Sequence, residues 1–516
     1  MDLFLKKIPA AGKIRLVSQM KKLFLGSDWI IKIIFVFGII LWTLRFINYL
    51  PIKDAGAARI LALQQVSVWD LFHTPWLDHY VHDGRGFLIL TKVFSLFLPN
   101  HELAYRFPIF ICSLLGWFLF LRLTRHFLTS SGRCVAMWLY IICPFLIEHS
   151  GLMMPYACDV SMSSFLLLML FHLAQSDLKS RKLRLGYALG GGLAVVTSLP
   201  AVFVLAGCGG VVLIQMLMRR EKHKIKRFLP VLIFWFVFWT LYYFYLIHHF
   251  THWDMLLNEW GAYFLPLGGG AGQCISWFLG KFTEMFKHPI GLSAWIGMPF
   301  WLLGIIAFLH KDRLKLFLLI SPLCILLAAL ILRKYPFHGR VVAFLLPMNL
   351  ILIGRGWQWF FKGLSLKKFG RILAIIIGCL LFVPQSIGVI NRLVYTHKVG
   401  GTTAAMDTIA ANWQPGDGIY VHNTFNKTFQ FLNQRYGFHR QDYILGVCLC
   451  DDQCRTEMQA LPPYRRIWFI LRYDDMFGVK MIHYFADQNG KFQNVHWQGP
   501  CRTFLYEWDL NHAVLP

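Results

Sequence analysis

The segment GYALGGGLAVVTSLPAVFVLAGCGGVVLIQMLM, residues 186–218, decides how the chain is organised. It is an uncharged apolar run, too long for one membrane-spanning helix of about 20 residues and short for two. Its flanks are strongly basic, with four Lys or Arg residues in 179–184 and six in 219–227. Because basic loops stay in the cytoplasm, the segment is predicted to cross the membrane twice and to turn near Pro200.

The composition of the whole chain indicates a membrane protein. Of its 516 residues, 57% are hydrophobic and 15% are charged, whereas soluble proteins average about 45–50% apolar and about 25% charged residues. The net charge of +25 lies in short basic clusters between apolar runs. This arrangement is typical of membrane-protein loops and argues against a nucleic-acid partner.

Eleven apolar runs are predicted to span the membrane: 29–48, 107–121, 134–148, 158–175, 186–199, 200–218, 228–248, 291–309, 316–332, 341–354 and 372–390. The connections assigned to the cytoplasm hold 27 Lys and Arg residues, and those assigned to the outer side hold 10. This bias predicts a cytoplasmic N-terminus and an outer C-terminus. The run 86–98 would extend about 20 Å as a helix, less than the hydrocarbon thickness of about 30 Å, so we expect it to lie at the outer interface.

The predicted fold is therefore an all-α polytopic membrane bundle with interfacial helices, followed by a small C-terminal α/β soluble domain. Residues 1–27 are predicted to form a basic amphipathic segment on the cytoplasmic surface. The membrane domain is predicted at 28–390, with outer loops at 49–106 and 249–290. Residues 391–516 are more polar, and we expect a domain of about 120 residues there, a usual size. In a bacterial inner membrane this domain would be periplasmic.

Four cysteines lie in the predicted outer domain: Cys448, Cys450, Cys454 and Cys501. An oxidising compartment favours two disulfides among them. Their C-x-C-x3-C spacing could instead bind zinc, but no convincing His partner is present, so no metal site is predicted. The cysteines in the apolar runs are expected to be packing residues.

Polar residues gather at the predicted outer ends of the spans. Asp54 follows the first span directly, where it could act as a general base or simply cap a helix. The stretch 78–106 surrounds the interfacial run and includes His82, Arg85, Lys92, Glu102 and Arg106. Its cations could bind a lipid phosphate, or they could be solvated and snorkelling charges.

Two further groups flank later spans. Tyr156 and Asp159 open the fourth span, where an acid can cap the helix or line a functional cavity. The sequence RKYPFHGR, residues 333–340, forms a short outer turn with Tyr335, His338 and Arg340. Its cations invite an anion, and the alternative is interfacial anchoring by Tyr and Arg.

Taken in order along the chain, these motifs resemble the GT-C superfamily of polyprenyl-phosphate-sugar glycosyltransferases. Within it the chain is similar to the RgtA-like relatives of protein O-mannosyltransferases and aminoarabinose transferases. The resemblance covers about residues 30–390. Asp54 occupies the place of an acidic pair whose second member is Ala55 here, and the region from His82 to Lys92 replaces a His-Pro-Pro element without its prolines. The remaining matches are Glu102-x-x-x-Arg106, Tyr156-x-x-Asp159 and the turn Tyr335-Pro-Phe-x-Gly-Arg340.

The resemblance implies an inverting transfer of a sugar from a polyprenyl-phosphate donor to an acceptor hydroxyl on the outer face. Asp54 would be the base, and Asp159 would orient the acceptor or a cation. The leaving phosphate would be bound by Arg340 with Lys92, Arg106, His338 and Tyr335, while His82, Arg85, Glu102 and Tyr156 would line the pocket. The loop 249–290, hinged at Gly268–Gly270, would close as a lid. No cofactor is required, because the protein supplies the cations, and participation of a divalent metal stays open.

Two other functions stay open at the level of sequence. A transporter or flippase of a lipid-linked sugar would need charges along a path through the bundle, but the charges gather at the outer face. An inactive GT-C-like scaffold would explain the half-lost acidic pair at Ala55. The acceptor class, whether a lipid-linked glycan, lipid A or a protein, has no readable signature.

Overall fold

The computed structural model describes residues 29–47, 54–73, 84–97, 102–244, 260–364, 402–447, 451–462, 464–472, 476–498 and 501–508, with a few helical positions between 372 and 389. The predicted amphipathic segment 1–27 lies outside the described residues, as do His82, Cys448 and Cys450.

In the first part of the chain, the regular secondary structure of the described residues is helical. The helices in chain order are α1 (Trp29–Ile47), α2 (Asp54–Gln65), α3 (Asp70–His73), α4 (Arg85–Ser95), α5 (Glu102–Phe127), α6 (Ser130–Ile141), α7 (Pro144–His149), α8 (Tyr156–Gln175), α9 (Arg181–Thr197), α10 (Ala201–Met218), α11 (Lys222–Tyr242), α12 (Gly270–Lys287), α13 (Ala294–Lys311), α14 (Arg313–Ile331) and α15 (Leu346–Leu364).

Seven of these helices are long and apolar enough to cross a membrane: α1, α5, α8, α10, α11, α13 and α14. The chain is therefore an integral membrane protein. The run 134–148 is divided into α6 and α7, because Pro144 cannot continue the first helix. The segment 186–218 forms α9 and α10, divided at Pro200 as its length and flanks predict. The run 372–390 is described only in part, so the count of eleven spans stays a prediction.

The C-terminal domain contains a five-stranded mixed sheet. Its strands are β1 (Asp417–Val421), β2 (Tyr443–Leu445), β3 (Arg466–Arg472), β4 (Gly490–Gln498) and β5 (Cys501–Trp508), in the order β2-β1-β3-β5-β4. Strand β1 pairs in parallel with β2 and β3, and β5 pairs antiparallel with β3 and β4. The helices are α16 (Thr402–Asn412), α17 (Asn426–Tyr436), α18 (Asp451–Gln459) and α19 (Met476–Asn489).

A buried ion pair fixes the first strand of this domain. The Asp417 side chain is fully buried and accepts hydrogen bonds from Arg466 at 2.8 and 2.6 Å. The Trp468 indole donates to the same carboxylate at 3.0 Å. Removing one partner would leave a buried charge uncompensated, so the network fixes β1 against β3.

Glycines let the helices of the membrane domain approach closely. Gly304 of α13 faces the backbone of Leu352 in α15, and Gly356 of α15 faces the backbone of Phe300 in α13. A side chain at either position would overlap the carbonyl oxygen of the facing helix. Small residues at such contacts are the usual means of tight helix packing in membranes.

The substitution Gly304→Ala should therefore destabilise the protein. Overpacking of this kind costs about 1–3 kcal/mol, so the melting temperature in detergent should fall. The matched control is Gly210→Ala in α10, where nothing lies within 4 Å of the added carbon. Thermal unfolding of the three proteins measures the effect, and an unchanged melting temperature for Gly304→Ala would contradict this packing.

Candidate functional site

Helix α2, which begins at Asp54, packs against the turn that precedes α8. Ala57 and Ile60 of α2 share one apolar cluster with Met153 and Cys158. The Arg59 guanidinium donates to the carbonyl of Ala55 in its own helix at 2.8 Å. The first turns of α2 therefore lie beside the start of α8, although the described residues do not include the side chain of Asp54.

Three predicted site residues come together at the start of α8. Tyr335, in the turn that follows α14, lies close enough to Asp159 and Tyr156 to interact with both electrostatically. Burial of the Tyr335 hydroxyl, and then the charge of Asp159, raise the pKa of Tyr335 well above its ordinary value. The hydroxyl stays protonated and donates to the carbonyl of Val341 at 3.1 Å. Asp159 itself is buried, with 7% of its surface exposed.

The turn 335–340 is held from the side of the loop 249–290. The Phe337 amide donates to the carbonyl of Tyr263 at 2.9 Å. Gly339 lies so close to His288 that a methyl group there would overlap the imidazole and would lie 2.9 Å from the His288 carbonyl oxygen. The glycine of the sequence motif is thus required by the close approach of His288.

The end of this turn and the neighbouring loop contribute a group of cations and aromatic rings, here called the turn cluster. Its members are Trp260, Tyr263, Lys281, His338 and Arg340. The Arg340 guanidinium is 5.0 Å from the centre of the Trp260 ring, and the Lys281 ammonium is 4.7 Å from that of Tyr263. The His338 ring meets Tyr263 edge-to-face at 4.2 Å. Cations over aromatic faces are stabilised by the ring quadrupoles.

The electrostatics of the turn cluster favour an anionic ligand. Burial, and then the positive charge of Arg340, lower the pKa of His338 to about 4, although Glu284 opposes the shift. His338 is therefore neutral at pH 7, which leaves Arg340 and Lys281 as the cations. Lys281 forms an ion pair with Glu284 at 2.9 Å. The guanidinium fork of Arg340 suits phosphate oxygens, whereas Glu284 balances part of the charge of Lys281.

Two polar atoms of the turn cluster lack a protein partner. In the part of the chain that the structure describes, Nδ1 of His338 and Nε of Arg340 are buried and have no hydrogen bond. Buried polar atoms in folded proteins nearly always have partners, so these two atoms are available to bind a ligand or a water molecule.

The other predicted cations lie around α2 and α4. Lys92 donates to the carbonyl of Leu63 at 2.6 Å, which satisfies the C-terminal end of α2, and burial lowers the pKa of Lys92. Arg106 is fully buried and forms an ion pair with Glu102 one turn before it. The backbone amide of Arg85 donates to the Tyr242 hydroxyl at 3.1 Å. The described contacts of Lys92 and Arg106 are thus with α2 and α5 rather than with the turn.

Two further features concern metals and cysteines. Over the described ranges, no group of three or more His, Cys, Asp or Glu side chains is arranged to hold a metal ion. Cys454 is disulfide-bonded, and its pairing with Cys448, Cys450 or Cys501 falls on side chains outside the description. Of the cysteines in the apolar runs, Cys112, Cys134, Cys143, Cys208 and Cys324 form no disulfide.

Four residues of this region were not predicted from the sequence as site residues: Trp260, Tyr263, Lys281 and His288. They lie in the loop 249–290, for which only the role of a lid was predicted. The signal that could have identified them is the concentration of aromatic residues and Lys281 in a loop predicted to face the basic turn.

Solved structures with the same architecture include an archaeal enzyme. The oligosaccharyltransferase AglB of Archaeoglobus fulgidus, in complex with an inhibitory peptide and a dolichol-phosphate, matches with a TM-score of 0.51 and 12% identity over 95% of this chain and 75% of its own. The apo form of the oligosaccharyltransferase from the same organism has the same TM-score over 91% and 73%. This chain has the GT-C fold.

A further solved structure is similar to this chain with a lower TM-score. ArnT from Cupriavidus metallidurans bound to undecaprenyl phosphate matches with a TM-score of 0.46 and 11% identity over 93% of this chain and 98% of its own. No family model and no curated protein sequence matches the chain. The GT-C architecture expected from the sequence motifs is confirmed as a fold by the oligosaccharyltransferase structures.

Within this GT-C fold, Gly339→Ala should displace the turn 335–340 from His288. The overlap should destabilise the protein by about 1–3 kcal/mol and lower its melting temperature. Gly280→Ala in α12 is the control, because its added carbon would meet open space. Equal melting temperatures for the two variants would show that the turn does not need the close approach.

The buried His338 predicts a pH dependence of stability. An unfolded histidine has a pKa of about 6.5, and the folded value is about 4, so the unfolded chain binds the extra proton between these values. Stability from neutral His338 is therefore complete above about pH 6.5 and is lost as the pH falls towards 4. The difference in melting temperature between wild type and His338→Asn should shrink over that range. A difference that is independent of pH would contradict the shifted pKa.

Proposed function

We propose that the protein is a membrane glycosyltransferase that moves a sugar, with inversion, from a polyprenyl-phosphate donor to an acceptor hydroxyl. The observation that carries the proposal is the turn cluster. Two cations and two polar atoms without a hydrogen bond lie there beside aromatic rings. Tyr335, in the same turn, interacts with the buried Asp159. The GT-C fold is shared with AglB, which was solved with a dolichol-phosphate.

The phosphate of the donor would lie against the turn cluster. The positive charges of Arg340 and Lys281 would neutralise the negative charge of the phosphate, and the neutral His338 would form a hydrogen bond to it. Charge grows on the leaving phosphate as the sugar departs, so preorganised donors here stabilise the transition state. Because the protein supplies these cations, the proposed reaction needs no metal ion.

The chemical step is a single displacement at the anomeric carbon. The acceptor oxygen forms a bond to that carbon, and the bond from the carbon to the phosphate oxygen breaks with its electron pair leaving on the phosphate. The proton of the acceptor hydroxyl passes to Asp54 as general base. Asp159, held beside Tyr156 and Tyr335, would orient the acceptor. The products are the glycosylated acceptor and polyprenyl phosphate.

The proposed site faces the outer side of a bacterial inner membrane. The excess of Lys and Arg in the opposite connections favours a cytoplasmic position for those loops. The C-terminal domain would then be periplasmic, where the disulfide at Cys454 is stable. The acceptor would be a lipid-linked glycan, lipid A or a protein.

A transfer assay tests the proposal. The purified protein in lipid nanodiscs would be given polyprenyl-phosphate sugars, one sugar class at a time, with membranes of the source cells as acceptor. Release of free polyprenyl phosphate is the measurement. Release that depends on both the acceptor and the protein supports the transferase. Movement of the intact donor across a liposome membrane without release would identify a flippase instead.

Loss of the base should reduce the rate strongly. General bases contribute about 10²–10⁴-fold, so Asp54→Asn should lower kcat by at least about 100-fold with little change in donor binding. Asp452→Asn, an exposed acid on α18, is the matched control and should keep the wild-type rate. Wild-type turnover by a folded Asp54→Asn protein would refute the assignment of the base.

A further inference from the structure

The C-terminal domain rests on the helix that begins at Asp54. Helix α17 of this domain packs along α2. The side-chain amides of Gln64 and Gln434 bond each other in both directions, at 2.9 and 3.2 Å. These two residues are 370 positions apart in the sequence, so the contact joins the first loop of the membrane domain to the soluble domain.

Phe431 packs into both sides of this contact. Its side chain lies against the apolar cluster of the membrane domain that contains Ala57, Ile60 and Leu63. It also lies against the core of the C-terminal domain, which contains Phe429 and Leu432. A residue that belongs to two cores cannot be moved without disturbing one of them, because interiors are densely packed.

The same end of α2 is fixed from the membrane side. Lys92 of α4 donates to the carbonyl of Leu63, and Tyr105 of α5 interacts with Gln64 and with Ser95. Three elements therefore hold the last turn of α2. The helix has 12 residues and is about 18 Å long at about 1.5 Å per residue. A rigid helix held at its far end determines where its first residue lies.

We propose that the C-terminal domain is a positioning element for the active site, with Phe431 and Gln434 as positioning residues that act through α2 on Asp54. The inference rests on the proposed role of Asp54 as the base. A displacement of about 1 Å by a remote change can cost about 100-fold in rate, since the reacting groups must be aligned. The outer domain would thus be required for the chemical step and not only for choosing an acceptor.

Hydrogen exchange of the full-length protein tests the positioning independently of any activity. Phe431→Ala and Gln434→Ala should increase amide exchange in residues 54–65, because local opening of α2 becomes easier. The peptides of α5 and α8 should exchange as in wild type. Gln493→Ala is the matched control. Gln493 lies on the edge strand β4 and donates a hydrogen bond to Glu507 of β5, within the C-terminal domain. Unchanged exchange in 54–65 for both variants would overturn the inference.

The transfer assay then tests the consequence. The double variant Phe431→Ala/Gln434→Ala should lose at least tenfold in kcat, with the KM for the donor within twofold of wild type, because the turn cluster is untouched. A short bismaleimide link between Gln64→Cys and Gln434→Cys, made in the Phe431→Ala background, should restore the rate. No rescue, or a wild-type rate in the double variant with faster exchange in 54–65, would overturn the inference while leaving the transferase intact. No transfer by wild type would instead refute the proposed function, and the exchange result would still decide the docking.

Discussion

Hydrocarbon cannot solvate an unpaired charge or an open backbone group, and this constraint orders the whole membrane domain. It requires helices in the described spans and lets them pack through residues such as Gly304 and Gly356, whose missing side chains bring two backbones together. It also drives the charges to the helix ends. The charged residues of interest therefore meet at the face where α2, the start of α8 and the turn 335–340 converge.

At that face each charged or titratable group lies in a specific protein environment that partly replaces water. Arg340 and Lys281 lie over aromatic rings, His338 gives up its proton, and Asp159 is buried beside Tyr335. Within the described residues of this face, Nδ1 of His338 and Nε of Arg340 have no hydrogen-bond partner. In the proposed reaction, the donors of this face would be preorganised for the charge that grows on the leaving phosphate. In the same way, helix α2 and the C-terminal domain would position Asp54, the proposed base.

The parts of the structure that the sequence predicted depend on local patterns. Span length and basic flanks placed the division at Pro200, and the motif spacing brought Tyr156, Asp159 and Tyr335 into one region. The contacts that it missed join residues far apart in the chain. The concentration of aromatic residues in the loop 249–290 does not show that Trp260 lies against Arg340. The role of Lys92 at a phosphate stays a prediction, and its ammonium donates to the carbonyl of Leu63 near the end of α2. The strand Gly490–Gln498 is hard to recognise in the sequence, because a β-bulge between Phe492 and Asn494 interrupts the alternation of its apolar residues.

The proposed function depends on binding of a lipid-carrier phosphate at the turn cluster. An experimental structure of the protein with undecaprenyl phosphate in lipid nanodiscs would test this binding. The phosphate is expected between Arg340 and Lys281, within hydrogen-bonding distance of His338, on the side of α2. A phosphate bound elsewhere, for example among helices near the basic connections 179–184 and 219–227, would contradict it.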